Sequence, residues 1–120
     1  MHKVTYVIPI WARTFEKDIL LSLNSLISES KYIEQIIIVH DGVESFLLDI
    51  SRVPKILEDK VLHIYSWINK GPGLARNYGC IFSKTNFIFF LDAGDESLPT
   101  RIKKQLPLVL RNGYAYGHIK

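Results

Sequence analysis

A chain of 120 residues with 48% hydrophobic and 22% charged residues is large enough for a real core but leaves no room for a second domain, and its composition excludes disorder as a starting assumption. The formal charge of +3 arises from Lys and Arg scattered along the chain, so a nucleic-acid role has little electrostatic support, whereas anionic ligands or a lipid surface are compatible with it. No apolar run approaches bilayer-spanning length, no signal peptide is readable, and the single cysteine, Cys80, can form no internal disulfide, which together lead to the expectation of a cytoplasmic protein, with peripheral attachment at the inner membrane face as an option.

Val4 to Ile10 is a β-branched run carrying Pro9 and reads as a first strand. Phe15, Ile19, Leu20, Leu23, Leu26 and Ile27 fall on one face of a helix predicted over 15–29, with Thr14 as its N-cap. Ile33 to Val39 is a second, nearly continuous apolar strand ending in His40-Asp41-Gly42. A weaker helix is predicted over 45–58, interrupted by Pro54, then a strand over Val61 to Trp67. Residues 69–73 read as a loop, 74–84 as a helix in which Cys80 is a small buried hydrophobe, and 87–91 as a strand. A helix from Pro99 to Leu110, bent or ended near Pro107, and a short strand over 114–118 complete the chain. The order βαβαβαβαβ predicts an α/β fold: a three-layer αβα sandwich around a mainly parallel, doubly wound sheet.

The segment Asn86-Phe-Ile-Phe-Phe-Leu-Asp-Ala-Gly-Asp95 runs almost wholly apolar sequence into two carboxylates, Asp92 and Asp95. Such a run predicts a strand buried on both faces whose C-terminal end delivers charge to the sheet edge where ligands bind in open α/β folds. Carboxylates there suit a hard divalent cation serving substrate phosphates; capping of the helix that Pro99 begins is the competing structural reading. Gly71-Pro72-Gly73 is followed by Arg76 where a dinucleotide fingerprint needs glycine, and no P-loop pattern occurs. Four loops carrying Trp11 and Arg13, His40 and Asp41, Asn69 through Asn77, and Asp92 through Asp95 should lie on one edge of the sheet.

Val7-Ile-Pro-Ile-Trp11, Ile36-Ile-Ile-Val-His-Asp-Gly42, Asn69-Lys-Gly-Pro-Gly-Leu-Ala-Arg-Asn-Tyr-Gly79 and Phe89-Phe-Leu-Asp-Ala-Gly-Asp95 with Pro99 follow one another at spacings that resemble the nucleotide-sugar-binding half of family-two glycosyltransferases, inverting enzymes with a GT-A fold. The resemblance covers nearly the whole chain. It implies a donor-binding domain, residues 1–120, that takes a UDP-sugar or another nucleotide-diphosphate sugar for transfer to a saccharide or other acceptor. It also implies the nucleotide-binding residues Pro9, Trp11, Asp41, Asn69, Gly73, Arg76, Asn77 and Asp92. Asp41 would accept from the uracil imide, Arg76 would approach base or diphosphate, Asn77 would orient the loop, and Trp11 would lie beside the base. Asp92 and Asp95 would hold Mg²⁺ or Mn²⁺ against the phosphates. On the residues alone, an Asx turn at Asp41–Gly42, a surface salt bridge for Arg76 and core closure by Trp11 are the alternatives.

Three departures from the family pattern stand out. Gly94 occupies the place of an aspartate of the metal motif, which puts the cation in question, and His40 stands where the first of two aspartates is expected. No residue has a clear claim to be the general base that an inverting transfer needs; in the family that carboxylate and the acceptor surface belong to the C-terminal half, which these residues lack, and a homodimer burying the exposed surface is an option. The alternative function is a non-catalytic nucleotide-binding or interaction module derived from a glycosyltransferase. A flavodoxin-like or receiver-like domain ranks last, because the first strand ends in Pro9-Ile10-Trp11 without an acid.

Overall fold

The computed structural model describes residues 2–42, 52–66 and 70–113. At its centre lies β1 (Val4–Ile10), flanked by β2 (Ile33–Asp41) on one side and β4 (Ile88–Phe90) on the other, with β3 (Val61–Ser66) outside β2. The order β3-β2-β1-β4 is parallel at every pairing. Such a sheet needs helices on its faces, and the alternation along β1 shows both faces covered. Tyr6, Ile8 and Ile10 join Ile36 and Ile38 of β2 beneath α1 (Glu16–Ser25) and α4 (Arg101–Asn112), through Ile19, Leu23, Ile102 and Leu106. On the opposite face Val7, Ile37, Val39 and Ile64 meet Ala75 and Tyr78 of α3 (Pro72–Cys80). The result is the predicted αβα sandwich, with a further single-turn helix, α2 (Lys55–Glu58), adding buried Leu57 to the larger cluster.

Gly79 lets α3 lie close to the sheet. A Cβ there would stand 2.6 Å from Val7 Cγ1 and 2.8 Å from Val39 Cγ2, distances that only a residue without a side chain allows.

Several local expectations are corrected. The first helix stops at Ser25, and a 3-10 helix over Ile27–Tyr32 follows in which Glu29 leaves helical geometry (φ −112°, ψ 21°). The buried Glu29 carboxylate accepts from the backbone N–H groups of Ile102 (2.8 Å) and Lys103 (3.1 Å), so it caps α4 from a distant element. Neither Asp92 nor Asp95 caps that helix. Thr14 is no N-cap either: Phe15 holds that position without a side-chain bond, and Thr14 Oγ1 accepts from the Trp11 N–H at 3.1 Å.

α4 runs through Pro107 to Gly113, whose left-handed backbone ends it. Lys103 and Pro107 are exposed, so water can reach the Lys103 carbonyl that a proline leaves without its helical partner. The strand over 87–91 shortens to Ile88–Phe90 and is not buried on both faces, since Phe89 is 4% and Phe90 39% exposed. Cys80 is half-buried, and burial pushes its thiol pKa up. The strand expected over 114–118, and most of the helix expected over 45–58, lie outside the described residues.

Candidate functional site

β1 and β4 part company at their C-terminal ends. β4 pairs with β1 only along Thr5 to Val7, and the last bond is from the Leu91 N–H to the Val7 carbonyl at 3.2 Å. Backbone groups of alternate residues face β4, so the missing N–H of Pro9 points to where that strand has already ended. Proline therefore leaves no ladder bond unmade in this central strand. The chain reverses direction around the sheet here, β2 and β3 lying to one side of β1 and β4 to the other. Ligand crevices of open α/β sheets form at such a switch point.

A cavity of about 360 Å³ occupies the crevice, lined by Pro9, Ile10, Trp11, Thr14, Asp41, Gly71, Pro72, Asp92 and Ala93. That volume suits a small-molecule ligand. Of the residues singled out in the sequence, Pro9, Trp11, Asp41 and Asp92 meet there. Trp11 is 45% exposed, so its ring faces the crevice and does not close the core; the Arg13 guanidinium carbon lies 5.7 Å from its centroid. Ile10, Thr14, Gly71, Pro72 and Ala93 complete the wall; none of them is assigned a binding role from sequence, although all lie in or next to the loops expected at this edge.

Asp41 ends β2 almost fully buried. Its Oδ1 accepts from the Lys70 N–H at 2.7 Å and its Oδ2 from the Gly71 N–H at 2.9 Å. These charge-assisted bonds tie the end of β2 to the loop that opens α3. They replace the Asx turn with Gly42. Each carboxylate oxygen keeps a further lone pair for a ligand donor. Gly71 takes φ +83° just before Pro72 starts the helix, and the N-terminus of α3 is thereby aimed at the cavity with its partial positive charge.

Arg76, one turn into α3, donates from Nη2 to Asp92 Oδ1 at 2.6 Å, so the two residues face each other at the crevice. Gly73 and Asn77 are exposed and stand outside the cavity wall. Asn69 lies outside the described residues.

Asp95 is near Asp92 but does not line the cavity. Burial, reinforced by the charge of Asp92, raises its carboxyl pKa above the ordinary value. Among the described residues no group of three or more His, Cys, Asp or Glu side chains is arranged to hold a metal. Two neighbouring carboxylates, one of them paired with Arg76, are a donor set that a small hard cation could use if it drew its remaining ligands from phosphate and water.

His40 is fully buried and belongs to the sheet. Its Nε2 is 2.8 Å from His63 Nδ1, and its ring stacks on Tyr65 with centroids 4.3 Å apart. Burial, with a smaller push from His63, lowers its pKa to about 4. It therefore stays neutral near pH 7.

A family model described as Glycosyl transferase family 2 matches residues 5–120. The chain is 28% identical over 117 residues to an uncharacterized glycosyltransferase of Rickettsia bellii, covering 97% of this chain and 16% of that protein. A second uncharacterized glycosyltransferase, of Rickettsia felis, is 26% identical over 116 residues, covering 97% of this chain and 19% of that one. The chain thus spans less than a fifth of the length of these relatives. Crystal structures of residues 1–349 of S. aureus TarS superpose with TM-score 0.68: one at 19% identity covering 92% of this chain and 33% of that one, the other, in complex with UDP, at 18% identity covering 97% and 38%. At such identities the likeness concerns the fold, and it is the open parallel sheet with helices on both faces described above.

Proposed function

The chain belongs to glycosyl transferase family 2, and from that premise we propose that the crevice between β1 and β4 binds a nucleotide-diphosphate sugar, with UDP as the nucleotide, as donor for glycosyl transfer to a saccharide or other acceptor. The observation that carries this reading is the convergence of Trp11, Asp41, the α3 N-terminus and Asp92 on one cavity at the switch point of the sheet. The UDP complex of a protein with the same fold supports the choice of nucleotide.

In this reading Pro9 and Trp11 form the wall for the base, and Asp41 accepts from its imide with the lone pairs that Lys70 and Gly71 leave over. Arg76 and the α3 N-terminus take the diphosphate. Asp92 and Asp95 would hold Mg²⁺ or Mn²⁺, which neutralises charge on the leaving diphosphate. Arg76 supplies positive charge on the same side, from this chain itself. The base for the acceptor hydroxyl is assigned to no residue here: we read residues 1–120 as the donor-binding unit, with acceptor-side groups coming from the remainder of a protein as long as the relatives.

Calorimetric titration with UDP, with and without Mn²⁺, tests the reading on the wild type, Asp41→Ala and Asp92→Ala. Metal-dependent binding weakened in both variants is expected. Failure of the wild type to bind UDP under either condition would sink it.

A further inference from the structure

The turn that carries Asp92 and Asp95 is anchored to α1 through one buried hydroxyl. Ser22, fully buried on α1, accepts from the Gly94 N–H at 3.0 Å and donates to the Asp95 carbonyl at 2.7 Å, with the Asp92 carbonyl also within reach at 3.2 Å. One side chain therefore addresses three residues of the turn, all through backbone atoms. The Gly94 N–H also reaches the Asp18 carbonyl at 3.1 Å. One helical turn further on, Ser25 donates to the Ser22 carbonyl at 2.6 Å and accepts from the Ser97 N–H at 2.9 Å, which extends the seam.

Gly94 is the backbone counterpart of this anchor. Its φ of +95° is a conformation that residues with side chains rarely adopt. A Cβ at that position would lie in ordinary contact with Asp18, 3.6 Å from its Cγ, so an aspartate there would bring a second carboxylate near that of Asp18. Docking of the turn on α1 and a carboxylate at position 94 are thus at odds. In this chain glycine lets the backbone take the positive φ of the turn, and the hydroxyl of Ser22 fixes it against the helix.

We infer that Ser22 is a positioning residue for the acidic turn: its hydroxyl holds the backbone of residues 92–95 in the geometry from which the Asp92 and Asp95 side chains project. It touches no substrate and acts only through those two residues. Its consequence for metal-assisted nucleotide binding rests on the donor-site reading above, whereas its hold on the turn does not.

Two readouts on the purified chain separate these layers: amide hydrogen exchange at Gly94 and Asp95, and UDP titration with and without Mn²⁺. Ser22→Ala should speed exchange at Gly94 about fivefold, as expected for loss of one hydrogen bond. It should also cut the Mn²⁺-dependent gain in UDP affinity by about the same factor, while metal-free affinity changes less than about twofold. Ile33→Val, a core truncation at the far end of β2, should lower stability yet keep both readouts at wild-type values, which distinguishes positioning from general destabilisation. If Ser22→Ala does not fold, Ser22→Cys, of similar shape but with much weaker hydrogen bonding, is read in the same way. Wild-type exchange at Gly94 together with an undiminished metal-dependent gain would overturn the proposal. Should the wild type bind no UDP at all, the donor-site reading fails, and the exchange rates alone decide whether Ser22 holds the turn.

Discussion

Arg76 Nη2 lies 2.6 Å from Asp92 Oδ1, joining α3 to the chain that follows β4 beside the crevice. Both side chains are substantially solvated, so the pair adds no more than ~1 kcal/mol to stability. In the proposed donor site, however, each partner has a second use: the guanidinium for phosphate and the carboxylate for a cation. Asp92→Asn removes the competition for Arg76, so metal-free UDP affinity should stay level or rise by up to about fivefold, while the Mn²⁺-dependent part is lost. The thermal midpoint should move by no more than a few degrees. A large metal-free loss of affinity in calorimetry would show that Arg76 needs Asp92 to reach the nucleotide.

Asp41 holds the loop before α3 through two bonds, and its substitution should be felt in stability as well as in binding. Asp41→Ala leaves the Lys70 and Gly71 N–H groups without their carboxylate acceptor, and a loss of ~2–3 kcal/mol is expected from urea unfolding. Asp41→Asn keeps one acceptor oxygen and should fall between wild type and Ala. Equal stability of all three proteins would mean that the loop finds other partners without cost.

Gly79→Ala sets two effects of opposite sign against each other. Helix propensity favours alanine by up to ~1 kcal/mol. Against it stand approaches of 2.6 and 2.8 Å to Val7 and Val39, whose stiff β-branched side chains are fully buried. Overpacking of this kind costs ~1–3 kcal/mol, so a net loss of stability is expected, together with weaker UDP binding as α3 is pushed off the sheet. A stabilised Gly79→Ala protein would contradict this account of the α3 contact.

The His40–His63 pair predicts an acid-side loss of stability. His40 titrates at about 4 in the folded protein against 6.5 for an ordinary histidine, and His63 is also lowered by burial. Between those values the unfolded chain binds a proton that folded His40 does not, so stability is intact above pH 6.5 and falls as pH drops toward 4. The full effect of His40 is ~3 kcal/mol. Urea unfolding measured from pH 7 to pH 4 should show this decline, and His40→Asn, which does not titrate, should flatten the slope. An unchanged slope would assign the acid sensitivity to other groups.

The parts of the fold that follow periodicity were readable in advance. Largely apolar runs at Val4–Ile10 and Ile33–Val39 specify strands buried on both faces, and the helices between them require parallel crossovers, which places the loops of Trp11, Asp41 and Asp92 at one edge. Local patterns failed where a distant partner intervened. Phe15–Glu29 reads as one helix, but α1 stops at Ser25, and in the 3-10 helix that follows Glu29 leaves helical geometry and caps α4, more than seventy residues away in sequence. Phe90 reads as core because its neighbours are apolar, yet β4 has no strand beyond it among the described residues.

The sequence by itself therefore determined the layer architecture, the location of the crevice and the family, since each follows from residue type at fixed short spacing. Only the tertiary structure decided what the polar side chains do: Asp41 engages the α3 loop, Arg76 pairs with Asp92, His40 meets His63 inside the fold, and Ser22 anchors the acidic turn. Hydrogen bonds are directional and short, so their partners are chosen by how the elements come to rest against one another, and no local pattern along the chain encodes that choice.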